Sequence, residues 1–263
     1  MKTSGLNSST VSITVYPEAE QGSGAFDGGK ITEIKPIPFP QESGGSRRIG
    51  PLLYWAWATA HGDGVIGMHP HQGFEIMSYV FEGSVGHTDS AGNSSRVSAG
   101  GAQVMQTGSG ISHQEEMHGE RTDFFQIWFE PDLRQSLRKQ PVYGDFEDSD
   151  FPHREEDGVR IKQVIGGDGP VLIDAPVQVE DIHLAPGASH SLRLPAHHAL
   201  ASVVVAGSGR WGGDGLETLQ EVSARDFAVL KTGEEVDVTL CSDDGLRVVN
   251  VITPLRVDYP LQF

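Results

Sequence analysis

The sequence has little cysteine, few basic residues and no long apolar run. Cys241 is the one cysteine among 263 residues, so no intrachain disulfide can form and a reducing compartment is permitted. Nineteen Lys and Arg against 36 Asp and Glu give a net charge of −17, which opposes direct binding to nucleic acid or an anionic membrane. No stretch reaches the roughly 18 apolar residues of a transmembrane helix, and the opening residues lack a signal-peptide core. We therefore expect a cytoplasmic protein without direct nucleic-acid or membrane contact.

Glycine, by contrast, is abundant, and its 33 residues separate short runs of β-branched and aromatic side chains. Such runs include LLYWAWATA at 52–60, EIMSYVFE at 75–82 and DFFQIWF at 123–129. Short strands between turn residues are typical of an all-β protein. One short helix is predicted over 131–139, and the acidic stretch 144–158 is predicted to be a solvated linker.

The two halves of the chain repeat a motif. The pattern VSA-x4-V-x2-TG begins at Val97 and again at Val222, an offset of 125, and Gly83 of a preceding Gly-Ser pair recurs as Gly207. A repeat of this length predicts two related β domains, because solenoid repeats have periods of about 20–50 residues. We place the domains at 1–140 and 141–263.

Two histidine-containing pairs are the candidate metal ligands of this sequence. His69 and His71 form one i, i+2 pair, and His113 and Glu115 form another. Side chains at this spacing share a face of an extended strand, so two neighbouring strands would gather three imidazoles and one carboxylate. Such a set suits a divalent transition metal such as Fe, Mn, Ni, Cu or Zn, and four ligands leave two octahedral positions open. Spacing favours Glu115 over the adjacent Glu116, which would point to the opposite face, although a local bulge could reverse that choice. The alternative that these are ordinary surface or core histidines stays open.

Several residues near these pairs in the sequence could form hydrogen bonds with the proposed metal ligands. Glu75 and Glu82 are candidate partners for the ligand imidazoles, because metal-bound histidines need a second hydrogen bond, and the sequence does not choose between them. His87 and Asp89 lie in the sequence HTDSAGN, whose chemistry favours a turn.

The repeat predicts that the second half has no metal site. At the offset of 124–125, Arg193, Pro195 and Val238 occupy the positions of the three histidines. None of these side chains is a usual metal ligand. The alternative of a second site stays open, and its candidate ligands are His183, His190, His197 and His198.

The segment from His69 to Glu115 resembles the pirin family. The sequences HPHQGFEIMSYVFEGSVGHTDSAGN and VMQTGSGISHQEEM carry that family's pattern over about fifty residues. The resemblance implies a bicupin, two face-to-face β-barrels of double-stranded β-helix (jelly-roll) type. It implies one metal, in an N-terminal cupin at 1–140, held by His69, His71, His113 and Glu115. The C-terminal cupin at 141–263 would have no metal, and the C-terminal strand would return to the first barrel.

The resemblance also supplies functional expectations. Bacterial pirins are associated with quercetin 2,3-dioxygenase activity, and the mammalian protein with iron-dependent transcriptional co-regulation. We therefore expect an Fe2+-dependent dioxygenase that acts with O2 on quercetin-like flavonols or related enolic aromatics. Glu115 would serve as metal ligand and as catalytic base. The alternative is a non-catalytic, redox-sensitive iron protein that modulates a transcription or metabolic partner. A metal-dependent isomerase or hydrolase is a third hypothesis.

Overall fold

The structure, a computed structural model, describes residues 11–213 and 219–262. Its strands form two large antiparallel sheets, which confirms the prediction of an all-β protein. The first ten residues, part of the segment considered for a signal peptide, lie outside the described residues. Across 11–213 and 219–262, no helix has the length and apolar character that a membrane crossing requires.

Within residues 11–146 the structure has ten strands. They are β1 (Ser12–Tyr16), β2 (Gly22–Phe26), β3 (Ile31–Ile37), β4 (Leu52–His61), β5 (Gly64–His71), β6 (Glu75–Asp89), β7 (Ser94–Ser98), β8 (Ala102–Gln106), β9 (Ile111–Phe129) and β10 (Val142–Phe146). The one α-helix in the described residues, α1, spans Leu133–Ser136 and is shorter than predicted. Its N-cap is Asp132, whose side chain accepts a hydrogen bond from the backbone N of Arg134.

Nine strands follow. They are β11 (His153–Glu156), β12 (Val159–Ile165), β13 (Gln178–Leu184), β14 (Ser189–Leu194), β15 (His198–Gly213), β16 (Gln220–Ser223), β17 (Phe227–Lys231), β18 (Val236–Cys241) and β19 (Leu246–Pro254). Single 3-10 turns occupy Glu18–Glu20, Asp27–Gly29 and Asp148–Asp150. The predicted solvated linker at 144–158 is wrong, because this stretch contains β11 and part of β10. Phe151 at its centre is buried in the core.

The two sheets share one pairing scheme. In the first sheet the order is β10-β8-β6-β9-β4-β3-β2, with β5 on β9 and β7 on β6. In the second sheet the order is β1-β17-β15-β19-β13-β12-β11, with β16 on β15 and β18 between β14 and β15. Strand by strand, β6 corresponds to β15, β8 to β17, and β9 to β18 and β19 together. The common scheme supports the duplication predicted from the repeat.

The sheets exchange their outer strands. The first described strand, β1, pairs with β17 of the second sheet, with Tyr16 opposite Phe227. Strand β10 pairs with β8 of the first sheet, with Val142 opposite Gln106. Pairing therefore crosses the predicted boundary at residue 140 in both directions, and the division into 1–140 and 141–263 stays a prediction.

The largest apolar core lies between the two sheets. It joins Trp55 and Phe125 of the first sheet to Phe227 and Val249 of the second, all of them fully buried. The Trp55 and Phe227 rings meet edge to face with centroids 5.9 Å apart. The sheets therefore pack face to face over this shared apolar layer.

The chain after β19 returns to the first sheet without forming a strand there. The Tyr259 hydroxyl donates to the backbone oxygen of Glu130 at 3.0 Å. The backbone N of Gln262 donates to Glu130 Oε1 at 2.6 Å. The predicted return of the C-terminus is thus observed as an irregular segment, and its last strand, β19, belongs to the second sheet.

Candidate metal centre

Strands β5 and β9 bring the three predicted histidines together. The register places His69 of β5 directly opposite His113 of β9. Their ring centroids are 4.5 Å apart, and the His71 ring lies 4.6 Å from that of His69 and 4.9 Å from that of His113. One possible ligand atom from each histidine lies within 4.8 Å of the other two. These three imidazoles can hold a metal ion.

The conformation of β5 fixes how these rings are presented. Pro70, between the two histidines, lacks a backbone N–H, and β5 tolerates it because this strand pairs only with β9 among the described strands. His69 Nδ1 lies 2.8 Å from the carbonyl oxygen of Gly67. A carbonyl can only accept, so the proton is on Nδ1. The lone pair of His69 is therefore on Nε2, where it can bind a metal.

His113 shows the clearest fit to a metal. Its side chain is 2% exposed, and its buried Nε2 has no hydrogen-bond partner among the described residues. A buried nitrogen without a partner is costly unless a ligand satisfies it. Burial, followed by the neighbouring imidazoles, lowers the pKa of both His71 and His113 to about 3. Both rings are therefore neutral at ordinary pH, as metal ligation requires.

Glu115 lies on the same face of β9 as His113 and is buried. Its Oε1 accepts from Ser78 Oγ at 2.9 Å, and its Oε2 accepts from Gln126 Nε2 at 2.7 Å. It lines the same cavity as His69 and His71 but is not in the group of ligand atoms within 4.8 Å. Glu116 is partly exposed and accepts from Gln114 instead.

Two residues assigned to a turn support the site. His87 is buried, with its Nε2 3.0 Å from Asp89 Oδ2 and its Nδ1 3.4 Å from His113 Nδ1. Its ring stacks on Tyr143 at 4.0 Å between centroids. Asp89 also forms the expected turn, accepting from the backbone N of Ala91 and of Asn93. In the sequence, the i, i+2 spacing of His87 and Asp89 indicated that the two side chains share one face of a strand. The turn-forming residues that follow Asp89 favoured a turn instead, so this indication was not used.

The predicted imidazole partners Glu75 and Glu82 serve other purposes. Glu75 is buried and accepts from the backbone N of Asp174 at 2.6 Å and of Ala175 at 2.9 Å, which joins it to the second half of the chain. Glu82 lies near Arg121 at 3.5 Å and is largely exposed. Neither carboxylate hydrogen-bonds to the histidines, so the prediction of their role is wrong.

A cavity of about 350 Å³ opens beside the histidines. Its wall combines aromatic, carboxylate and amide groups with two of the imidazoles. The lining residues are Phe26, Glu33, Phe39, Tyr54, Ile66, Gly67, His69, His71, Glu115, Gln126 and Trp128. The Phe39 and Tyr54 rings stack at 4.2 Å, and the Trp128 ring meets His71 at 4.7 Å. An apolar cavity of this size with a few polar groups is typical of a small-molecule site.

The second sheet has apolar residues at the equivalent places. Val238 corresponds to His113, and the register places Leu192 opposite Val238, so Leu192 and not Arg193 is the counterpart of His69. The repeat offset here is 123, one residue shorter than the offset that gave Arg193, and Arg193 donates to Asp237 instead. The same register gives the other three counterparts: Leu194 replaces His71, Leu240 replaces Glu115, and Trp211 replaces His87. These side chains pack together in one apolar core of the second sheet. Among the described residues, only His69, His71 and His113 form a group that can hold a metal.

Comparison with known proteins identifies relatives of this chain. The family model named Pirin matches residues 56–129. Over 188 residues the chain is 35% identical to the Pseudomonas aeruginosa protein named "Putative quercetin 2,3-dioxygenase PA1210", a match that spans 70% of this chain and 75% of that protein. It is 31% identical to Pirin of Homo sapiens over 182 residues, 65% of this chain and 60% of that protein.

A solved structure extends the likeness to the whole fold. The crystal structure of bacterial pirin YhhW from Escherichia coli, in complex with nickel(II), matches with a TM-score of 0.75 and 22% identity. The match covers 92% of this chain and 99% of that chain. The predicted bicupin fold is thereby confirmed. Together with the fold, the sequence matches show that the chain is a member of the pirin family.

Proposed function

We propose that the protein is a metal-dependent dioxygenase of quercetin-like flavonols or related enolic aromatics. The observation that carries the proposal is the buried Nε2 of His113, which has no hydrogen-bond partner in the described part of the chain and completes a three-imidazole cluster beside an aromatic cavity. Two relatives from Pseudomonas aeruginosa that carry the name "Putative quercetin 2,3-dioxygenase" support the same reaction class.

The donor set fits one divalent transition metal. His69, His71 and His113 would hold it, and we propose Glu115 as the fourth ligand. Imidazole and carboxylate donors suit Fe2+, which we propose, and also Mn, Ni, Cu and Zn. The Escherichia coli pirin was solved in complex with nickel(II), which supports a divalent ion as the cofactor. Such an ion, when bound, supplies Lewis acidity and a redox centre for oxygen chemistry.

The residues around the cavity would perform the remaining tasks. The stacked Phe39 and Tyr54 rings and the nearby Trp128 ring would orient a planar aromatic and exclude water from the reacting end. Glu115 would accept the proton of the substrate hydroxyl. Ser78 and Gln126 hold the two oxygens of this carboxylate, so its orientation is fixed before the substrate arrives.

Elemental analysis joined to an oxygen-uptake assay tests the proposal. We expect the purified protein to contain about one divalent ion per chain and to consume O2 when quercetin is added. His69→Ala and His113→Ala should remove both the ion and the uptake. The exposed His61 lies in the same sheet outside the cluster, so His61→Ala is the matched control and should keep both. Full turnover by a metal-free His113→Ala protein would contradict the proposal.

The same assay distinguishes the alternative function. A folded, iron-loaded protein that consumes no oxygen over a panel of flavonols and enols would favour the non-catalytic interaction protein. Turnover that continues without oxygen would favour an isomerase or hydrolase that uses the ion as a Lewis acid.

A further inference from the structure

The far wall of the cavity contains a buried carboxylate that the proposed reaction does not use. Glu33 of β3 is 6% exposed, and its Oε1 accepts from the Tyr54 hydroxyl at 3.3 Å. Its Oε2 is buried and has no hydrogen-bond partner among the described residues. Leaving an acceptor of this strength unsatisfied is costly, which indicates that a ligand group satisfies it.

The nearest cation fills this role only in part. Lys35 Nζ lies 3.5 Å from Glu33 Oε2 but 2.5 Å from Glu42 Oε1, so the shorter contact is with Glu42. The three groups together have one excess negative charge when ionised. Burial raises the pKa of Glu33, and Lys35 opposes that shift. Glu33 lines the cavity, and its Oε2 accepts no hydrogen bond from the described residues.

A row of aromatic rings connects Glu33 to the candidate metal centre. The Tyr54 hydroxyl contacts Glu33, the Tyr54 and Trp128 centroids are 5.8 Å apart, and the Trp128 ring meets the His71 ring at 4.7 Å. Glu33 and His71 therefore lie at opposite ends of this row. A planar ligand lying along the rings would have one end at the histidines and the other at Glu33.

We propose that Glu33 determines specificity by accepting a hydrogen bond from a second hydroxyl of the substrate, remote from the hydroxyl at the metal centre. The cavity then selects planar aromatics that carry hydroxyls at both ends. This inference rests on the proposed function for the identity of the site. A site built to hydrogen-bond a hydroxyl rejects an analogue without it, because the buried carboxylate is left unpaired.

Binding to the nickel-loaded protein without oxygen tests the inference, because it needs no turnover. Calorimetry would give the dissociation constants of quercetin and of 3-hydroxyflavone, which lacks the remote hydroxyls. Wild type should bind quercetin at least about tenfold more tightly, as expected for one hydrogen bond to a charged group. Glu33→Leu should reduce that ratio about tenfold, and Glu33→Gln, which keeps a neutral acceptor, should give an intermediate ratio.

Glu116→Gln is the matched control. It removes a carboxylate that neither lines the cavity nor contacts the Glu33 cluster, so the ratio should stay within twofold of wild type. If Glu33→Leu does not fold, as judged by circular dichroism, Glu33→Gln alone must lower the ratio. An unchanged ratio in the Glu33 variants, no preference in wild type, or no binding of either ligand would overturn the inference. Retention of the Glu33-dependent ratio without oxygen uptake would overturn only the proposed dioxygenase function.

Discussion

His113 and His87 face each other through their Nδ1 atoms, 3.4 Å apart. Asp89 accepts the Nε2 proton of His87, so His87 Nδ1 is left as an acceptor. The proton of this contact therefore belongs to His113 Nδ1, and the lone pair of His113 remains on Nε2, the atom that faces the other two histidines. Asp89 thus determines, through His87, which tautomer His113 adopts as a proposed metal ligand.

Replacing His87 should weaken metal binding although His87 is not in the three-histidine group. We expect His87→Phe to lower metal affinity about 10–100-fold, the usual effect of losing a partner behind a ligand. Phenylalanine keeps a ring on Tyr143, and Trp211 shows that an aromatic ring fits the equivalent place in the second sheet. Competition with a chelator measures the affinity, and His118→Ala, a partly exposed histidine on β9, is the control. Wild-type affinity in His87→Phe would refute this role.

Glu115 and Glu116 provide an adjacent test pair. Glu115→Gln should weaken metal binding at least about tenfold and abolish oxygen uptake, because the amide is a poorer ligand and no base. Glu116→Gln removes the same charge from the outer face of β9 and should leave both within twofold of wild type. Metal analysis and oxygen uptake measure the two effects. Equal losses in both variants would indicate an effect of charge alone, contrary to the assignment.

Acid should destabilise the protein through Asp181. Burial alone would raise the pKa of this carboxyl, but hydrogen bonds from His183, Arg247 and Tyr79 outweigh burial and hold the pKa well below its usual range. A depressed pKa contributes stability above the unfolded value of about 3.9, and this stability is lost as the pH falls through that value toward the folded pKa. The free energy of unfolding should therefore decrease from about pH 5 downward.

Urea denaturation at pH 7 and pH 4 measures this dependence. Asp181→Asn should cost on the order of 3 kcal/mol at pH 7, because Arg247 loses its buried partner, and the pH dependence should become shallower. Asp243 pairs with Arg210 at the exposed surface, so Asp243→Asn should change stability by less than about 0.5 kcal/mol. An unchanged pH dependence in Asp181→Asn would exclude this carboxyl as the source.

The core between the sheets should dominate stability. Phe227→Ala removes a fully buried ring that contacts Trp55 across the two sheets, and we expect a loss of about 3–5 kcal/mol in the free energy of unfolding. Leu172 is 82% exposed, so Leu172→Ala should change stability by less than about 0.5 kcal/mol. Fluorescence-detected urea denaturation gives both values. A loss below 1 kcal/mol in Phe227→Ala would argue against a shared core.

The sequence predicted some parts of this molecule well because their signals are local. The i, i+2 spacing of His69 and His71 survives in β5, and that of His113 and Glu115 survives in β9. The role of His87 was missed because pairing with Glu115 of β9, 28 residues later, buries it. The counterpart of His69 was placed one residue too far, at Arg193, because turn lengths differ between the halves and only strand register reveals Leu192.

The exchange of outer strands also has a consequence for synthesis. Tyr16 of β1 is paired with Phe227, more than 200 positions later in the chain. At a ribosomal rate of about 5–20 residues per second, β1 leaves the exit tunnel roughly 10–40 s before its partner exists. Until then its hydrogen-bonding edge has no native partner, and non-local pairing of this kind folds slowly. The second sheet can be completed only when nearly all of the chain has been made, whereas β10 can complete the first sheet soon after β8 and β9 emerge.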